Sequence, residues 1–256
     1  MTNKPTVGEE MNTTLVSIKK DMDKLNRLLP ENKFSIQKFI NEELNKESKD
    51  NEITSWHSSQ LGSCLTGAYL RRIGTKPDVS FDDRTLRVFG MGRFVENWVV
   101  EVLKKTDLKI KTQGHIEIPK YDLTGYYDFL VENDSNKLIY ETKSKHSRAF
   151  WYMLNKGQGP HRHHEMQLWS YLFGTDIPEG RLLYISKDDL AMLEYPVFLD
   201  DDPLRSEVIG QLEILNKAWV EKLPPKPIED PKAWQNKYCR YHKQCVSQPE
   251  YLKVDV

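Results

Sequence analysis

Long apolar runs are missing from this sequence. No stretch approaches the roughly 18 consecutive apolar residues that a membrane-spanning helix needs, and the first residues carry no charged, apolar and small-residue leader. The expectation is a chain with no membrane partner. Cysteine is scarce, with three among 256 residues, too few for a disulfide-stapled secreted scaffold. With the missing leader, that scarcity predicts a reducing, cytoplasmic setting, in a cell or in the host of a virus that encodes the chain. Excess charge of either sign is absent as well: the formal net charge is -1. Any contact with nucleic acid therefore has to come from local basic patches and bound metal. No internal repeat and no low-complexity tract interrupts the chain, which excludes solenoid and array architectures.

What is present suits one large domain with an appendage, long enough to bury a sizeable core. Leu15, Ile18, Met22, Leu25 and Leu29 recur at three- and four-residue steps, the spacing of one helix face, and Pro30 ends the run. Ser35 is placed to cap a second helix carrying Ile36, Phe39, Ile40 and Leu44. A polar break over 46–52 follows. Residues 1–50 read as a helical appendage, 51–225 as the core, and 226–256 as a tail packed on that core.

Within the core, Ser58 and Ser59 are placed to start a helix with the apolar face Leu61, Cys64, Leu65, Ala68 and Tyr69, just after His57. A strongly apolar helix runs from Leu86 to Leu103 and carries Gly90, Gly92 and Glu96; its glycines predict a close approach to the backbone. Strands over 109–118, 124–131 and 138–143 read as an antiparallel meander. Strands over 181–186 and 192–198 complete the sheet, and a helix covers 204–222.

The most informative stretch is 125–143. Its two β runs, 126–131 and 138–143, flank Asn-Asp-Ser-Asn, short polar residues that bond their own backbone and favour turns. That loop sets Glu132 against Lys137 and carries Asp128 opposite Glu141. Side chains alternate along a strand, so Glu141 and Lys143 share a face beside Asp128. Like charges across a ladder repel, and a divalent cation such as Mg²⁺ or Mn²⁺ resolves the repulsion. A lysine beside that ion is placed to orient or deprotonate an attacking water. A solvated surface hairpin is the alternative.

Arg148, Lys156, Arg162 and His164 crowd the segment after the meander, with Phe150, Trp151 and Tyr152 interleaved. Such a mixture pairs cations with phosphates and aromatic rings with bases, although a charge run is also an ordinary solvated face. Gln167 and Tyr171, four apart, share a helix face. In the tail, Cys239 and Cys245 lie close in sequence, with Cys64 far upstream. Three cytosolic thiols suggest metal rather than disulfide, with His242 as a fourth ligand for zinc, or Asn236 or none for an iron–sulfur cluster.

Taken in order, His57, Cys64, Gly92-Arg93-Phe94-Val95-Glu96, Gly125-x-x-Asp128, Glu141-Thr142-Lys143, Gln167-Leu-Trp-Ser-Tyr171 and the cysteine-bearing tail resemble the RecB-like branch of PD-(D/E)xK nucleases. The likeness is strongest to CRISPR-associated and phage RecB-like exonucleases that carry an iron–sulfur cluster, and it spans about 55–246. The resemblance implies a restriction-endonuclease-like α/β core: a mixed central sheet flanked by helices, here with the helical appendage and the cysteine tail.

The same resemblance implies metal-dependent cleavage of single-stranded DNA or DNA ends, 5′ to 3′, in recombination, replication or repair, with proteins of those processes meeting the N-terminal helices. His57, Asp128, Glu141 and the Thr142 carbonyl would hold the ion, Lys143 would serve the water, and Glu96, Gln167 and Tyr171 would assist. The family tail usually reads Cys-x-x-Cys-x-x-x-x-x-Cys, with a fourth cysteine by the first helix. Asn236 stands at the first tail position here, so a four-iron four-sulfur (4Fe–4S) cluster, zinc and no metal all remain readings of the tail. A structure-specific endonuclease or CRISPR spacer-end trimming nuclease is a second reading of the whole chain. A non-catalytic DNA-binding or recombination module is a third.

Overall fold

The structure, a computed structural model, describes residues 35–47, 53–133, 136–228, 230 and 233–247. The helix expected from Leu15 to Leu29 and the tip of the 125–143 hairpin lie outside these residues. The chain divides into two compact units, Met1–Glu47 and Ser48–Val256. In the first, helix α1 (Ile36–Glu47) starts where Ser35 was expected to cap it: the Ser35 Oγ accepts the Lys38 N–H at 3.3 Å.

In the second unit a mixed six-stranded sheet runs β1-β3-β4-β5-β6, with β2 also on β3. The strands are β1 (Trp56–His57), β2 (Lys109–Ile118), β3 (Leu123–Asn133), β4 (Asn136–Lys145), β5 (Glu179–Ser186) and β6 (Met192–Phe198). The expected meander is present, β2, β3 and β4 pairing antiparallel, and Glu132 does face Lys137. From β4 the chain crosses over through α4 (Ser147–Lys156) and α5 (Arg162–Thr175) to pair β5 in parallel.

Both faces of the sheet are covered. On β5, Leu182 and Tyr184 enter one core cluster while Leu183 and Ile185 enter another, the alternation of a strand buried on both sides. Helix α5 lies on the first face, with every residue from Met166 to Leu172 buried. Helix α6 (Asp202–Glu221) packs there through Leu204, Val208, Leu212 and Leu215. Helix α3 (Asp83–Leu103), capped by Asp82 on the Thr85 N–H, covers the second face with Val95, Val99 and Val100.

Strand β3 is forked. β2 occupies one edge along almost its whole length, so β1 and β4 must share the other. β1 pairs at Leu123 and Thr124, β4 only from Phe129 onward. Among the described residues the edge between them, 125–128, has no strand partner. Alternation also fails there: Tyr127 packs in the first cluster and Phe129, two residues on, in the second.

Two local anchors fix the elements around the fork. Trp56 bonds Asn216 through its indole N–H at 2.7 Å, and the Arg72 guanidinium is sandwiched between the rings of Trp56 and Trp219, 4.3 and 4.0 Å away. The helix expected from Ser58 begins only at Leu65 (α2, Leu65–Arg72), after a short 3-10 turn. Gly62 breaks it: its φ is +72° and a Cβ there would meet His163 at 2.5 Å. Short helices α7 (Trp234–Tyr238) and α8 (His242–Ser247) form the tail. Asp78 ties it down, accepting the Lys243 N–H at 2.9 Å and the Gln244 side-chain N–H at 2.9 Å, while its own N–H donates to the Arg240 carbonyl.

Candidate active site

Asp128 sits in the fork. It is passed over by both ladders: β2 pairs on either side of it, and β4 stops one residue short, at Phe129. A side-chain bond replaces the missing ladder, the Asp128 Oδ2 accepting the Thr142 N–H at 2.6 Å.

Glu141 and Lys143 share the face of β4 that lies under α5, as the alternation required. Glu141 is 3% exposed. Its Oε1 accepts the Lys143 ammonium at 2.5 Å and the Gln167 amide at 2.9 Å. Its Oε2 is buried and has no hydrogen-bond partner among the described residues. Gln167 also takes the Lys143 Nζ on its own Oε1 at 3.1 Å and donates to the Tyr171 hydroxyl at 2.8 Å. Asp128, Glu141, Lys143, Gln167 and Tyr171 therefore form one connected group, with Thr142 bridging by its backbone.

The electrostatics are those of crowded negative charge. Burial, then the charges of Glu141 and Glu96, push the Asp128 carboxyl well above its usual range. Burial and the Glu141 charge also raise Glu96, opposed by Lys143 and by a hydrogen bond from Gln113. Burial works against charge on Lys143, but Glu141 and the other two carboxylates outweigh it and hold its pKa above the ordinary value. Lys143 accordingly keeps its proton at neutral pH. Tyr171, buried beside the same carboxylates, is pushed far up and stays a neutral hydroxyl.

A divalent ion fits this chemistry. Hard cations commonly take one or two carboxylates from the protein, with carbonyl, water or phosphate oxygens completing the shell. A buried carboxylate oxygen with no donor, beside a second carboxyl whose ionisation is disfavoured, is a site short of positive charge. Among the described residues no three His, Cys, Asp or Glu side chains are disposed to hold an ion by themselves.

His57 stands apart from this group. It ends β1 opposite Thr124, and after burial the charges that lower its pKa are those of Arg71 and His115. No hydrogen bond or ion pair among the described residues joins it to Asp128 or Glu141. Of the residues expected to meet DNA, Arg148, Trp151 and Lys156 are exposed along α4, Trp151 to 41%. Arg162 is engaged by Glu207 and Glu165. His164 is held against the Tyr184 hydroxyl at 2.7 Å, and burial keeps it neutral. Phe150 is a core residue rather than a stacking platform.

The three thiols do come together, all of them free, with Cys239 interacting with both Cys64 and Cys245. Among the described residues no fourth ligand joins them. The Asn236 amide is turned to the Ile228 and Asp230 carbonyls, 3.0 and 2.7 Å away, and His242 is exposed. Three thiols alone fall short of a four-ligand zinc site, and no group of three or more His, Cys, Asp or Glu among the described residues is disposed to hold a metal ion.

The sequence reading missed Gln113, whose amide lies 2.6 Å from the Glu96 carboxylate. A glutamine among polar strand residues carries no signal.

No protein-family model and no curated protein matches the sequence. Solved structures do. SSO0001 superposes with a TM-score of 0.55 at 20% identity, over 83% of this chain and 96% of that one. LHK-Exo, an alkaline exonuclease from Laribacter hongkongensis, in its complex with dAMP, gives a TM-score of 0.52 at 13% identity, over 69% of this chain and 93% of that one. These likenesses establish the fold, the mixed sheet with flanking helices of restriction-endonuclease-like proteins.

Proposed function

We propose that the chain is a Mg²⁺- or Mn²⁺-dependent deoxyribonuclease, an exonuclease that shortens single-stranded DNA or DNA ends from 5′ to 3′. The observation that carries this is the partnerless, buried Oε2 of Glu141 beside Asp128, with the Lys143 ammonium fixed on the same carboxylate. The fold shared with LHK-Exo supports it. Asp128, Glu141 and the Thr142 carbonyl would hold the ion, with Glu96 assisting and His57 a more distant candidate. When bound, the ion supplies charge stabilisation at the phosphoryl group and a lowered pKa for the attacking water.

The protein groups supply orientation. Lys143, fixed on the Glu141 carboxylate, is placed to orient or activate the attacking water. Gln167 holds the Lys143 and Glu141 side chains in register, and Tyr171 fixes Gln167. Water oxygen bonds to phosphorus, the P–O3′ bond breaks, and the departing 3′-oxygen takes up a proton. Arg148, Trp151 and Lys156, on one exposed helix, would meet phosphates and bases of the strand.

The test is degradation of single-stranded oligonucleotides labelled at the 5′ or the 3′ end, with Mg²⁺, Mn²⁺ or EDTA. Metal-dependent loss of the 5′ label first is the expected result. Cleavage of circular single strands would replace the exonuclease with an endonuclease. Tight strand binding without cleavage in either metal would reduce the chain to a binding module.

A further inference from the structure

Residue Gln113 stands across β3 from Asp128. The register is continuous on both sides, Thr112 pairing Phe129 and Gly114 pairing Tyr127, so Gln113 occupies the one rung that is not formed. Its φ is +51°. A glutamine has no side chain suited to left-handed backbone, which costs an L-residue about 1–2 kcal/mol. Strain of this kind persists only where the surroundings impose it.

The surroundings do impose it. A Cβ on Gly114 would fall 1.9 Å from the Tyr127 ring, so the ring lies directly over that glycine. Tyr127 is itself buried, edge-on to Tyr171 at 6.4 Å. The kink in β2 is thus locked by the same aromatic pair that backs the Glu141–Lys143–Gln167 group. Its result is that the Gln113 amide leaves the sheet and reaches α3, donating to the Glu96 Oε1 at 2.6 Å. Glu96 needs such a hold. It faces the Asp128 and Glu141 carboxylates, which repel it, while Lys143 and Arg93 attract it.

We infer that Gln113 is a positioning residue that fixes the Glu96 carboxylate where its charge assists the cation site of Asp128 and Glu141. The inference rests on the proposed nuclease reading of that site, and Gln113 itself touches none of the reacting atoms.

The experiment is Mn²⁺ binding to the full chain by isothermal titration, for the wild type, Gln113→Gly, Glu96→Gln and the double variant. Glycine accommodates the left-handed backbone and removes the whole side chain, the amide donor with it. Gln113→Gly is expected to weaken Mn²⁺ roughly tenfold, the low end for a hydrogen bond to a charged group. In the Glu96→Gln background the same change should do nothing further, since interacting residues are not additive. Gln113→Glu, of equal length but without a donor, should weaken binding at least as much. Unchanged affinity, an equal loss in both backgrounds, or no Mn²⁺ binding at all would overturn the inference. The coupling without any DNA cleavage would sink the nuclease reading and leave the positioning role. Cleavage with Mn²⁺ affinity indifferent to Gln113 would sink the positioning role alone.

Discussion

Asp128 and Thr142 meet across the mouth of the fork, where the Asp128 carboxylate takes the Thr142 N–H at 2.6 Å. That single bond does what a ladder rung would have done, joining β3 to β4, while leaving the second carboxylate oxygen for other work. Structure and chemistry can be separated at this residue. Asp128→Asn keeps an acceptor for Thr142 and removes the charge, so it should fold normally and lose cleavage. Asp128→Ala also strands a backbone N–H, at a further cost of about 1–3 kcal/mol. Oligonucleotide degradation and urea unfolding of the two variants check this; full activity in Asp128→Asn would remove Asp128 from the site.

Divalent metal should stabilise the protein independently of any reaction. A ligand at about 100 times its Kd adds about 2.7 kcal/mol to a folded state that alone binds it. Mg²⁺ or Mn²⁺ is expected to raise the thermal midpoint of the wild type and not that of the Asp128→Asn, Glu141→Gln double variant. An equal rise in both would place the ion elsewhere.

Gly125 is packed too closely for any side chain. A Cβ there would meet the Ser58 Oγ at 2.4 Å and the Tyr171 ring at 2.7 Å. Gly125→Ala should cost about 1–3 kcal/mol, the usual range for overpacking, and should lower kcat by moving Tyr171 away from Gln167. Thermal unfolding and single-turnover cleavage together test it, and a variant matching the wild type in both would contradict the packing.

The contribution of the buried histidines to stability should fall in mild acid, against the opposite contribution of the raised Asp128 and Glu96 carboxyls. Burial, then the charges of His161, Lys143 and Lys145, lowers His163 from 6.5 to about 4, so the unfolded chain binds a proton first. The contribution is fully present above pH 6.5 and is lost as pH falls toward about 4. Neutral His164 acts in the same direction. Urea midpoints at pH 7.5 and pH 5 should therefore differ, and His163→Gln should narrow the difference. A variant with an undiminished difference would assign the effect to other groups.

Strand contact should be carried by α4. Trp151→Ala is expected to weaken single-strand binding by ~1–3 kcal/mol, the range for a base stacked on an aromatic ring. Arg148→Ala should weaken it for all sequences alike and flatten its salt dependence. Fluorescence anisotropy with a labelled oligonucleotide measures both.

Much of this was legible in the residues. The polar turn set the Glu132–Lys137 register, and alternation then placed Glu141 and Lys143 on one face. Four-residue spacing put Gln167 and Tyr171 together. What escaped reading was tertiary. Two residues are too few for a strand pattern, so β1 leaves no mark in the sequence and His57 reads as a helix flank. Phe150 and His164 look like their exposed neighbours in sequence, and only the packing of α4 and α5 on the sheet separates them. The Gln113 kink is imposed by a ring over Gly114, a contact between strands that no local signal encodes. The missing tail cysteine was visible, but the commitment of the Asn236 amide to two backbone carbonyls was not.

The bonds from Asp78 to the tail join positions 165 and 166 residues apart. Closing so long a loop costs more chain entropy than pairing neighbouring strands, so it is expected to follow the locally paired meander. The strap is thus a latch on a finished sheet, and a single backbone cut between Asp78 and Arg240 turns it from an intramolecular tie into an encounter between two fragments.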